Sequence, residues 1–441
     1  MSGLAKILLE RGEFVSGSDP AVNKQTESLR AEGATIYTQQ LANNITSDID
    51  VVVLTSAIRE DNPERVAAEK LGIRIMRRSE MLNKIITEHK AIAVTGTHGK
   101  TTTSSMLMTA LDAAGMDTTA IIGAEVHTIS GNAKSGLGEY SVAEVCEYER
   151  AFLDIFPHAA IITNIEADHL DYYKDLEEIV DTFKEFVAQI DPEGFLIYNG
   201  ESETCQIAAK GYSGTKLTYG LADNNDYFPR NIENKDSKTY FDVIAKGKNL
   251  GEFTLNVPGE HNILNSLAVI ATVAQIGADM KLACEGIEQF MGAERRFQYK
   301  GEYKGATIID DYAHHPTEIA ATLAGARKRY PNHRIVAVFQ PHQHSRTKLL
   351  MEDFAKAFSN ADVVILPEIY AVRDTDEDIK SVSSKELAEK INVYEQKDTA
   401  TYYGNLDTAL EALKETIKKD DIVLTIGAGP VFQIGERLLE S

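Results

Sequence analysis

The chain has 441 residues, of which 43% are hydrophobic and 25% charged, and its formal net charge is −22. This length exceeds what one ordinary hydrophobic core serves, so we expect two or three domains. The strong negative charge disfavours binding to nucleic acid or to an anionic membrane, and no apolar run reaches the roughly 18 residues of a membrane-spanning helix.

Three cysteines, Cys146, Cys205 and Cys284, lie far apart along the chain. Their spacing predicts neither a zinc site nor a redox motif. No charged-then-apolar leader stands at the start, so we expect a protein of the reducing cytoplasm.

Residues 1–86 alternate helical patterns with the short apolar runs "EFVSGSD", "GATIY", "VVVLTS" and "IRIM". This alternation predicts a Rossmann-like α/β domain with a parallel sheet. The opening "MSGLAKILLERG" reads as an amphipathic helix, and we expect that a strand and glycine turn normally precede it. Ser18 and Asp19 follow a strand, where such sheets bind ligands, although these residues by themselves favour a capped turn.

Residues 87–298 predict a second α/β domain. Its strands are "AIAVTG", "TTAIIG", "YSVAEV", "AAIITNI" and "GFLIYNG", followed by an antiparallel insertion within 238–257 and the helix "EHNILNSLAVIATVAQIG". Residues 299–441 predict a third, Rossmann-like α/β domain with the strands "ATIIDDYAHHP", "RIVAVFQPH", "DVVILPE" and "DIVLTIGAG". These third-domain strands end in polar or glycine-rich residues, the composition of a binding edge.

The segment "GTHGKTTT" lies between a strand and a helix and indicates a phosphate loop. Gly96 and Gly99 allow the backbone amides to converge on an anion, Lys100 reaches phosphates, and the Thr101 hydroxyl suits Mg²⁺. The pattern is a shortened one, because Val94 stands where the general motif has glycine. We expect Lys100 to be a surface residue whose replacement abolishes turnover with little effect on folding.

Acidic residues follow two neighbouring predicted strands and are candidate metal ligands. Glu144 ends "YSVAE", and a second group follows "AAIITN": Glu166, Asp168, His169 and Asp171. His169 is either a second metal ligand or an ordinary loop histidine.

Ten motifs in order resemble the Mur ligases over essentially the whole chain. They are "MSGLA", "VSGSD", "SAIREDNPE", "GTHGKTTT", "NIEADHLDYY", "PGEHNILNSLA", "RRF", "DDYAHHPTE", "FQPHQHSRT" and "GAG". The resemblance implies an amino-terminal domain for a UDP sugar, a central P-loop ATPase and a carboxyl-terminal domain that closes over ATP and an amino acid. It also implies a reaction in which ATP phosphorylates the lactyl carboxylate of UDP-N-acetylmuramate and L-alanine then attacks the acyl phosphate.

The resemblance also implies roles for individual residues. The ATP site would comprise Gly96, Thr97, His98, Gly99, Lys100, Thr101 and Thr102, with Asn265 on adenine, Arg296 on the phosphates and Asp311 on the ribose. Mg²⁺ would be held by Thr101, Glu144 and His169. Tyr312, His314 and Arg346 resemble the amino-acid pocket, and Ser18, Asp19 and Ser56 fall in the segments that resemble the sugar-nucleotide domain.

Two of these residues carry chemistry of their own. His314 is a candidate base for the alanine ammonium, because an ordinary imidazole titrates near neutrality, and it is equally a structural histidine of the "AHHP" turn. Arg346 is suited to binding the amino acid's carboxylate through two hydrogen bonds.

Alternatives stay open within this resemblance. One is a recycling ligase that joins a whole tripeptide to the same sugar nucleotide, and another is a binding protein without catalysis. The expected state is a monomer or weak homodimer.

Overall fold

The computed structural model describes residues 1–126, 129, 131–170, 172–235, 238–372 and 374–441. The chain forms three α/β units, which we call the N-terminal, central and C-terminal units according to their sheets. Within the described ranges, no helix is both long and apolar enough to cross a bilayer.

The elements alternate through most of the chain. The helices are α1 (Ser2–Glu10), α2 (Lys24–Ala31), α3 (Pro63–Leu71), α4 (Arg78–Ile86), α5 (Lys100–Ala113), α6 (Leu176–Val187), α7 (Glu203–Ala209), α8 (Glu260–Ile276), α9 (Met280–Gln289), α10 (Pro316–Arg329), α11 (His344–Leu349), α12 (Met351–Lys356), α13 (Asp376–Ser381), α14 (Ser384–Glu395), α15 (Leu406–Thr416) and α16 (Phe432–Leu439). The strands are β1 (Ser16–Ser18), β2 (Thr35–Tyr37), β3 (Val51–Leu54), β4 (Arg74–Arg77), β5 (Lys90–Thr95), β6 (Thr119–Val126), β7 (Gly131–Lys134), β8 (Tyr140–Glu144), β9 (Ala159–Ile162), β10 (Phe195–Asn199), β11 (Thr215–Tyr219), β12 (Tyr227–Lys235), β13 (Lys238–Ala245), β14 (Lys248–Leu255), β15 (Gln298–Tyr303), β16 (Ala306–Asp311), β17 (Ile335–Phe339), β18 (Val363–Leu366), β19 (Ala400–Tyr402) and β20 (Ile422–Ile426).

The N-terminal unit contains two separate parallel pairs, β1–β2 and β3–β4. The parallel pairing agrees with the prediction, but the described strands do not join into one sheet. Strand β1 consists of Ser16, Gly17 and Ser18, none of which is buried.

The central unit is built on a ten-stranded sheet in the order β14-β13-β12-β11-β10-β9-β5-β8-β6-β7. Its middle strands are parallel and its ends are antiparallel hairpins. One face packs on α5, α8 and α9, while the other face shares a core with α1, α4 and α6. Both faces of the middle strands are therefore buried, as their continuous apolar sequences require.

The C-terminal unit has a six-stranded sheet in the order β15-β16-β20-β17-β18-β19. Strands β16 to β19 and β20 run parallel, and β15 is an antiparallel edge strand. Apolar cores lie on both faces, one including α10, α12 and α14 and the other α15 and α16. The carboxyl ends of β16, β17 and β20 thus share one edge of the sheet.

Candidate active site

The loop between β5 and α5 requires glycine at two positions. Gly96 has φ +131° and Gly99 has φ +81°, both in the region that favours glycine. A Cβ on Gly96 would overlap the Thr163 hydroxyl, and one on Gly99 would lie 2.8 Å from Oδ1 of Asn265. The loop is therefore packed closely against β9 and α8, and it places the first amides of α5, which have no carbonyl one turn earlier, at the edge of the sheet.

Strands β8 and β9 flank β5 on either side. Val94 is in register with Glu144 of β8 and with Ile161 of β9. The loop after β5, the end of β8 and the segment after β9 consequently meet at one edge, as the sequence predicted.

Lys100 lies inside this edge and not on the surface. Its ammonium donates to the carbonyl oxygens of Gly96 and Thr97, the latter at 3.0 Å, and pairs with Glu147 at 3.1 Å. The side chains of Lys100 and Glu147 are only 13% and 3% exposed. Burial favours the neutral amine, yet the Glu147 charge holds the pKa of Lys100 above its ordinary value. The expectation of a surface lysine was wrong, because it overlooked this buried acid.

Glu147 and Asp168 both lie beside His169, and Nε2 of His169 is 3.8 Å from Oδ2 of Asp168. Nε2 of His169 lies 3.9 Å from Oε1 of Glu147, and the imidazole packs at an angle of 49° against the Tyr148 ring with centroids 4.8 Å apart. Glu144, the predicted ligand, accepts a hydrogen bond of 2.9 Å from the backbone amide of Gly123. Glu144 and Glu147 thus both face the lysine loop, and the second of them is the one in contact with Lys100.

The first turn of α5 is buried. Thr101 and Thr102 are both in the interior, and Thr103 donates through its hydroxyl to Oδ1 of Asn265 at 3.1 Å. The amide nitrogen of Asn265 donates to Asn262 at 3.2 Å. The described contacts of Asn265 therefore join α5 to α8, and its role on adenine stays a prediction.

Asp311 ends β16 in the C-terminal unit. Its two carboxylate oxygens accept hydrogen bonds from the backbone amides of Phe297, at 2.7 Å, and Ala313, at 2.8 Å. Burial raises its pKa to about 6, against the lowering effect of Arg296 and these amides. The acid fixes the turns on both sides of β15 and β16, and its ribose contact stays a prediction.

Arg296 and Tyr312 lie side by side at the entrance to the C-terminal unit. The Arg296 guanidinium stands 5.2 Å from the centroid of the Tyr312 ring, and Nη1 lies 4.0 Å from Oε1 of Glu318. Arg295, its neighbour, instead binds Asp310 at 2.8 Å and the Gly427 carbonyl. Arg296 is thus the arginine of "RRF" that lies beside Glu318, the acid that also contacts His98 of the central unit.

His314 does not have the titration behaviour expected from its sequence. Burial lowers its pKa to about 4, although the charge of Glu318 acts in the opposite direction. Its Nδ1 lies 3.2 Å from the Tyr312 carbonyl and its backbone amide donates to Glu318 at 3.0 Å. In this arrangement His314 is neutral at physiological pH and a weak base, so the assumption of a near-neutral pKa was wrong.

Arg346 lies in α11, and its side chain extends to the central unit. Nη2 donates to Oδ1 of Asp168 at 3.2 Å, and the two side chains are 9% and 8% exposed. Burial favours the protonated carboxyl, but His169 and Arg346 hold the pKa of Asp168 well below its usual range. The guanidinium is therefore already bound to a carboxylate, which belongs to the chain itself.

A second set of contacts joins the same two units. Nδ1 of His98 lies 3.1 Å from Oε1 of Glu318, and Thr317 donates through its hydroxyl to Glu166 at 3.0 Å. Burial opposes protonation of His98, but Glu318 and Glu166 raise its pKa to about 9. Burial favours the protonated form of Glu318, but the charge and hydrogen bond of His98 and the charge of Arg296 hold its pKa well below its usual range.

The predicted residues of the N-terminal unit make local contacts. Ser18 donates to Glu64 at 2.6 Å, and Asp19 accepts from the amide of Ala21 at 2.8 Å. Ser56 is exposed. The turn interpretation of "VSGSD" accounts for the Asp19 contact, and the sugar-nucleotide role of all three stays a prediction. Asp171, which the sequence placed in the acidic cluster, lies outside the described residues.

Three family models match consecutive parts of the chain. The Mur ligase family catalytic domain matches residues 1–90, the Mur ligase middle domain 94–273, and the Mur ligase glutamate ligase domain 295–429. The chain belongs to the Mur ligase family. The predicted three-domain α/β architecture and the family resemblance are thereby confirmed.

Several relatives match this Mur ligase over its full length. A UDP-N-acetylmuramate–L-alanine ligase of Caldanaerobacter subterraneus subsp. tengcongensis is 42% identical, covering 100% of this chain and 95% of the relative. The corresponding ligase of Alkaliphilus metalliredigens is 44% identical, covering 100% and 94%. Among solved structures, the UDP-N-acetylmuramate–alanine ligase of Thermotoga maritima has a TM-score of 0.81 at 29% identity and covers 98% of this chain and 94% of that one. A murein peptide ligase of Psychrobacter arcticus has a TM-score of 0.73 at 25% identity, covering 100% and 96%.

Two acids of this site were not singled out from the sequence, although each carries a signal. Glu147 follows Glu144 by three residues in "AEVCEYE", at the end of the same strand. Glu318 stands three residues after His315, the N-cap of α10, and its carboxylate accepts from the His315 amide at 3.3 Å. That spacing is typical of a capping box, and here the capping acid also binds His98 of the central unit.

Proposed function

We propose that this Mur ligase joins L-alanine to the lactyl carboxylate of UDP-N-acetylmuramate at the expense of ATP, through an acyl phosphate. In this proposal residues 1–86 bind the sugar nucleotide, 87–298 bind ATP, and 299–441 bind alanine and close the site. The observation that carries it is the full-length identity of 42–44% to L-alanine ligases. The cations and acids gathered between the central and C-terminal units support it independently.

The first chemical task is to bring two anions together, the γ-phosphate and the sugar's carboxylate. The Lys100 ammonium lies in the glycine loop, and Arg296 lies beside Glu318, which contacts His98 of the same loop. Fixed cations of this kind stabilise the charge that spreads over a transferring phosphoryl group. We propose that ATP phosphates replace the Gly96 and Thr97 carbonyls as partners of Lys100, with Thr97, His98 and Thr102 forming the rest of the loop.

The donor set beside Lys100 suits Mg²⁺. Glu144 and Glu147 supply carboxylate oxygens, Thr101 supplies a hydroxyl, and His169 stands beside Glu147. Oxygen ligands are those that Mg²⁺ prefers, and several positions remain for phosphate and water. We propose Thr101, Glu144, Glu147 and His169 as the residues that hold it. The ion would neutralise charge on the phosphates.

The second task is to place a neutral amine against the acyl carbon. Arg346 is the proposed partner of the alanine carboxylate, and its guanidinium is already held within the interface by Asp168. Since an arginine has five donors, it can keep Asp168 and bind a second carboxylate. Tyr312 and His314 border the same space. Neutral His314 suits a role as hydrogen-bond acceptor for the amine better than a role as strong base.

The test measures ADP release with UDP-N-acetylmuramate, Mg²⁺ and either L-alanine, glycine or the murein tripeptide. We expect turnover with alanine and weaker turnover with glycine, because one methyl group contributes only about 1–3 kcal/mol of discrimination. The Lys100→Ala variant should be inactive. The matched control is Lys216→Ala, which lies away from the loop and should remain active.

Two outcomes would contradict the proposal. Release of ADP with the tripeptide alone would assign the chain to the recycling ligases. No ADP release with any acceptor, combined with intact binding of UDP-N-acetylmuramate by calorimetry, would leave a binding protein without catalysis.

A further inference from the structure

Three potential metal ligands from separate segments meet where the central unit contacts the C-terminal unit. His98 comes from the glycine loop, Glu166 from the segment after β9, and His315 from the N-cap of α10. One ligand atom from each lies within 4.8 Å of the other two. This trio is separate from the proposed Mg²⁺ ligands, which surround Lys100.

Two of the imidazole nitrogens are buried without a hydrogen bond. They are Nε2 of His98 and Nε2 of His315, and the His315 side chain is buried at the interface. Buried polar atoms are nearly always satisfied, so a pair of unsatisfied nitrogens beside a carboxylate indicates a missing partner. The centroids of the two rings lie 4.7 Å apart, and one nitrogen of each ring lies within 4.8 Å of a Glu166 carboxylate oxygen.

The surroundings orient the ring of His98, but not yet that of His315, as in metal sites. Nδ1 of His98 lies 3.1 Å from Glu318, so a proton on Nδ1 leaves the Nε2 lone pair free. Nδ1 of His315 accepts a long bond of 3.4 Å from the Thr317 amide. Coordination through Nε2 of His315 would require its proton to move to Nδ1, at the loss of that weak bond.

The spacing and chemistry select the class of ion. Nε2 of His98 lies 3.4 Å from Oε2 of Glu166, which is about the separation of two tetrahedral ligands each bound to zinc at about 2.0–2.1 Å. Two imidazoles and one carboxylate leave a fourth position open, and imidazole favours zinc and its neighbours over Mg²⁺. Metal binding would displace the proton that His98 holds beside its two acids, and the carboxylates of Glu166 and Glu318 would then match the charge of a divalent cation.

We propose that His98, Glu166 and His315 bind a divalent transition-metal ion such as Zn²⁺, and that this ion fastens the C-terminal unit to the central unit. Because the ligands come from both units, the complete set exists only while the two are in contact. Binding therefore favours the closed arrangement by mass action. One of the three ligands, His98, belongs to the loop that we propose for ATP, so the test is made without nucleotide and reads metal affinity rather than ADP release.

The test titrates ZnCl₂ into the full-length, metal-stripped protein without nucleotide, in excess Mg²⁺, against a chromophoric chelator. We expect one strong site in the natural chain and at least about tenfold weaker affinity in His315→Gln and in Glu166→Gln, since even outer partners of metal ligands are worth about 10–100-fold. His158→Gln removes a histidine that pairs with Asp191 elsewhere and should bind as tightly as the natural chain. Zn²⁺ should raise the thermal midpoint of the natural chain and of His158→Gln only.

Cobalt provides a second readout that does not depend on the stability of a variant. Co²⁺ bound by this trio should give visible ligand-field absorption without a thiolate charge-transfer band, whereas binding by a cysteine would give that band. Equal Zn²⁺ affinity in the natural chain and in both folded ligand variants would overturn the proposal. So would a thiolate band, or displacement of Zn²⁺ by Mg²⁺ alone.

Discussion

The Arg346 guanidinium donates to the Asp168 carboxylate over 3.2 Å, from α11 of one unit to the segment after β9 of another. The arginine that we propose for the alanine carboxylate is thus positioned by the ATP-binding unit. Alanine binding and contact between the units are consequently linked through one side chain.

Removing the acid of this pair should weaken the interface. In Asp168→Ala the buried guanidinium loses its carboxylate, which costs about 3–5 kcal/mol when a buried pair is broken on one side. Urea unfolding measures the change in the free energy of unfolding. The control is Lys24→Ala, which breaks an exposed pair with Glu125 and should lower that free energy by about 1 kcal/mol or less. Equal effects of the two variants would contradict a stabilising role for the Arg346 pair.

Lys100→Ala should abolish ADP release and also destabilise the chain. The reason for the second effect is Glu147, which would remain buried without a cation. In the double variant Lys100→Ala, Glu147→Gln, the thermal midpoint should recover most of its loss while activity stays absent. A single variant as stable as the natural chain would show that the pair contributes nothing to folding.

Two glycines at positive φ allow the close packing of the loop to be tested. Gly99 has φ +81° and Gly115 has φ +75°, but a Cβ meets Asn265 at 2.8 Å at the first position and nothing within 4 Å at the second. Alanine at either position carries the backbone cost of about 1 kcal/mol. We expect Gly99→Ala to lose more stability than this, together with ATP binding, and Gly115→Ala to retain activity. Calorimetry measures ATP binding by the two variants, which Gly99→Ala should lose and Gly115→Ala should keep.

Stability should depend on pH through His98. Its pKa is raised from 6.5 to about 9 in the folded chain, mainly by Glu318 acting against burial. Below pH 6.5 both folded and unfolded chains carry the proton, and the stabilisation is complete; as the pH rises through 9 it is lost. The difference in thermal midpoint between the natural chain and His98→Gln should therefore shrink between about pH 6 and about pH 9.5.

Glu318→Gln provides the control for this pH effect. Without the Glu318 charge the pKa of His98 should fall. The difference in thermal midpoint between Glu318→Gln and the double variant Glu318→Gln, His98→Gln should therefore vary less with pH. A difference that grows with pH would contradict the assignment to His98.

The sequence predicted the strands whose apolar residues are continuous and missed those whose residues are mixed. β5, β9, β17 and β20 are buried on both faces and read as unbroken hydrophobic runs. The edge strands β7, "GNAK", and β15, "QYKGEY", lack that pattern because only part of each is covered. Such strands form through pairing with a neighbour, which a local pattern does not reveal.

The phosphate loop was predictable because residue types and spacing define it locally. The partners of its side chains were not, since Glu147 lies 47 residues from Lys100 and Glu318 lies 220 from His98. The pKa of His314 likewise depends on burial by the folded chain, so a reference value for imidazole misjudged it. Roles on adenine, ribose and the sugar nucleotide rest on the resemblance and stay predictions.

The first helix has a practical consequence for dissecting the chain. Leu4 and Ile7 of α1 share a buried cluster with Ile85 of α4 and Ile162 of β9. Cutting the chain after residue 86 would expose apolar surface on both fragments. Fragments produced separately should therefore aggregate. A recombinant fragment intended to bind nucleotide on its own should keep the leading helices attached.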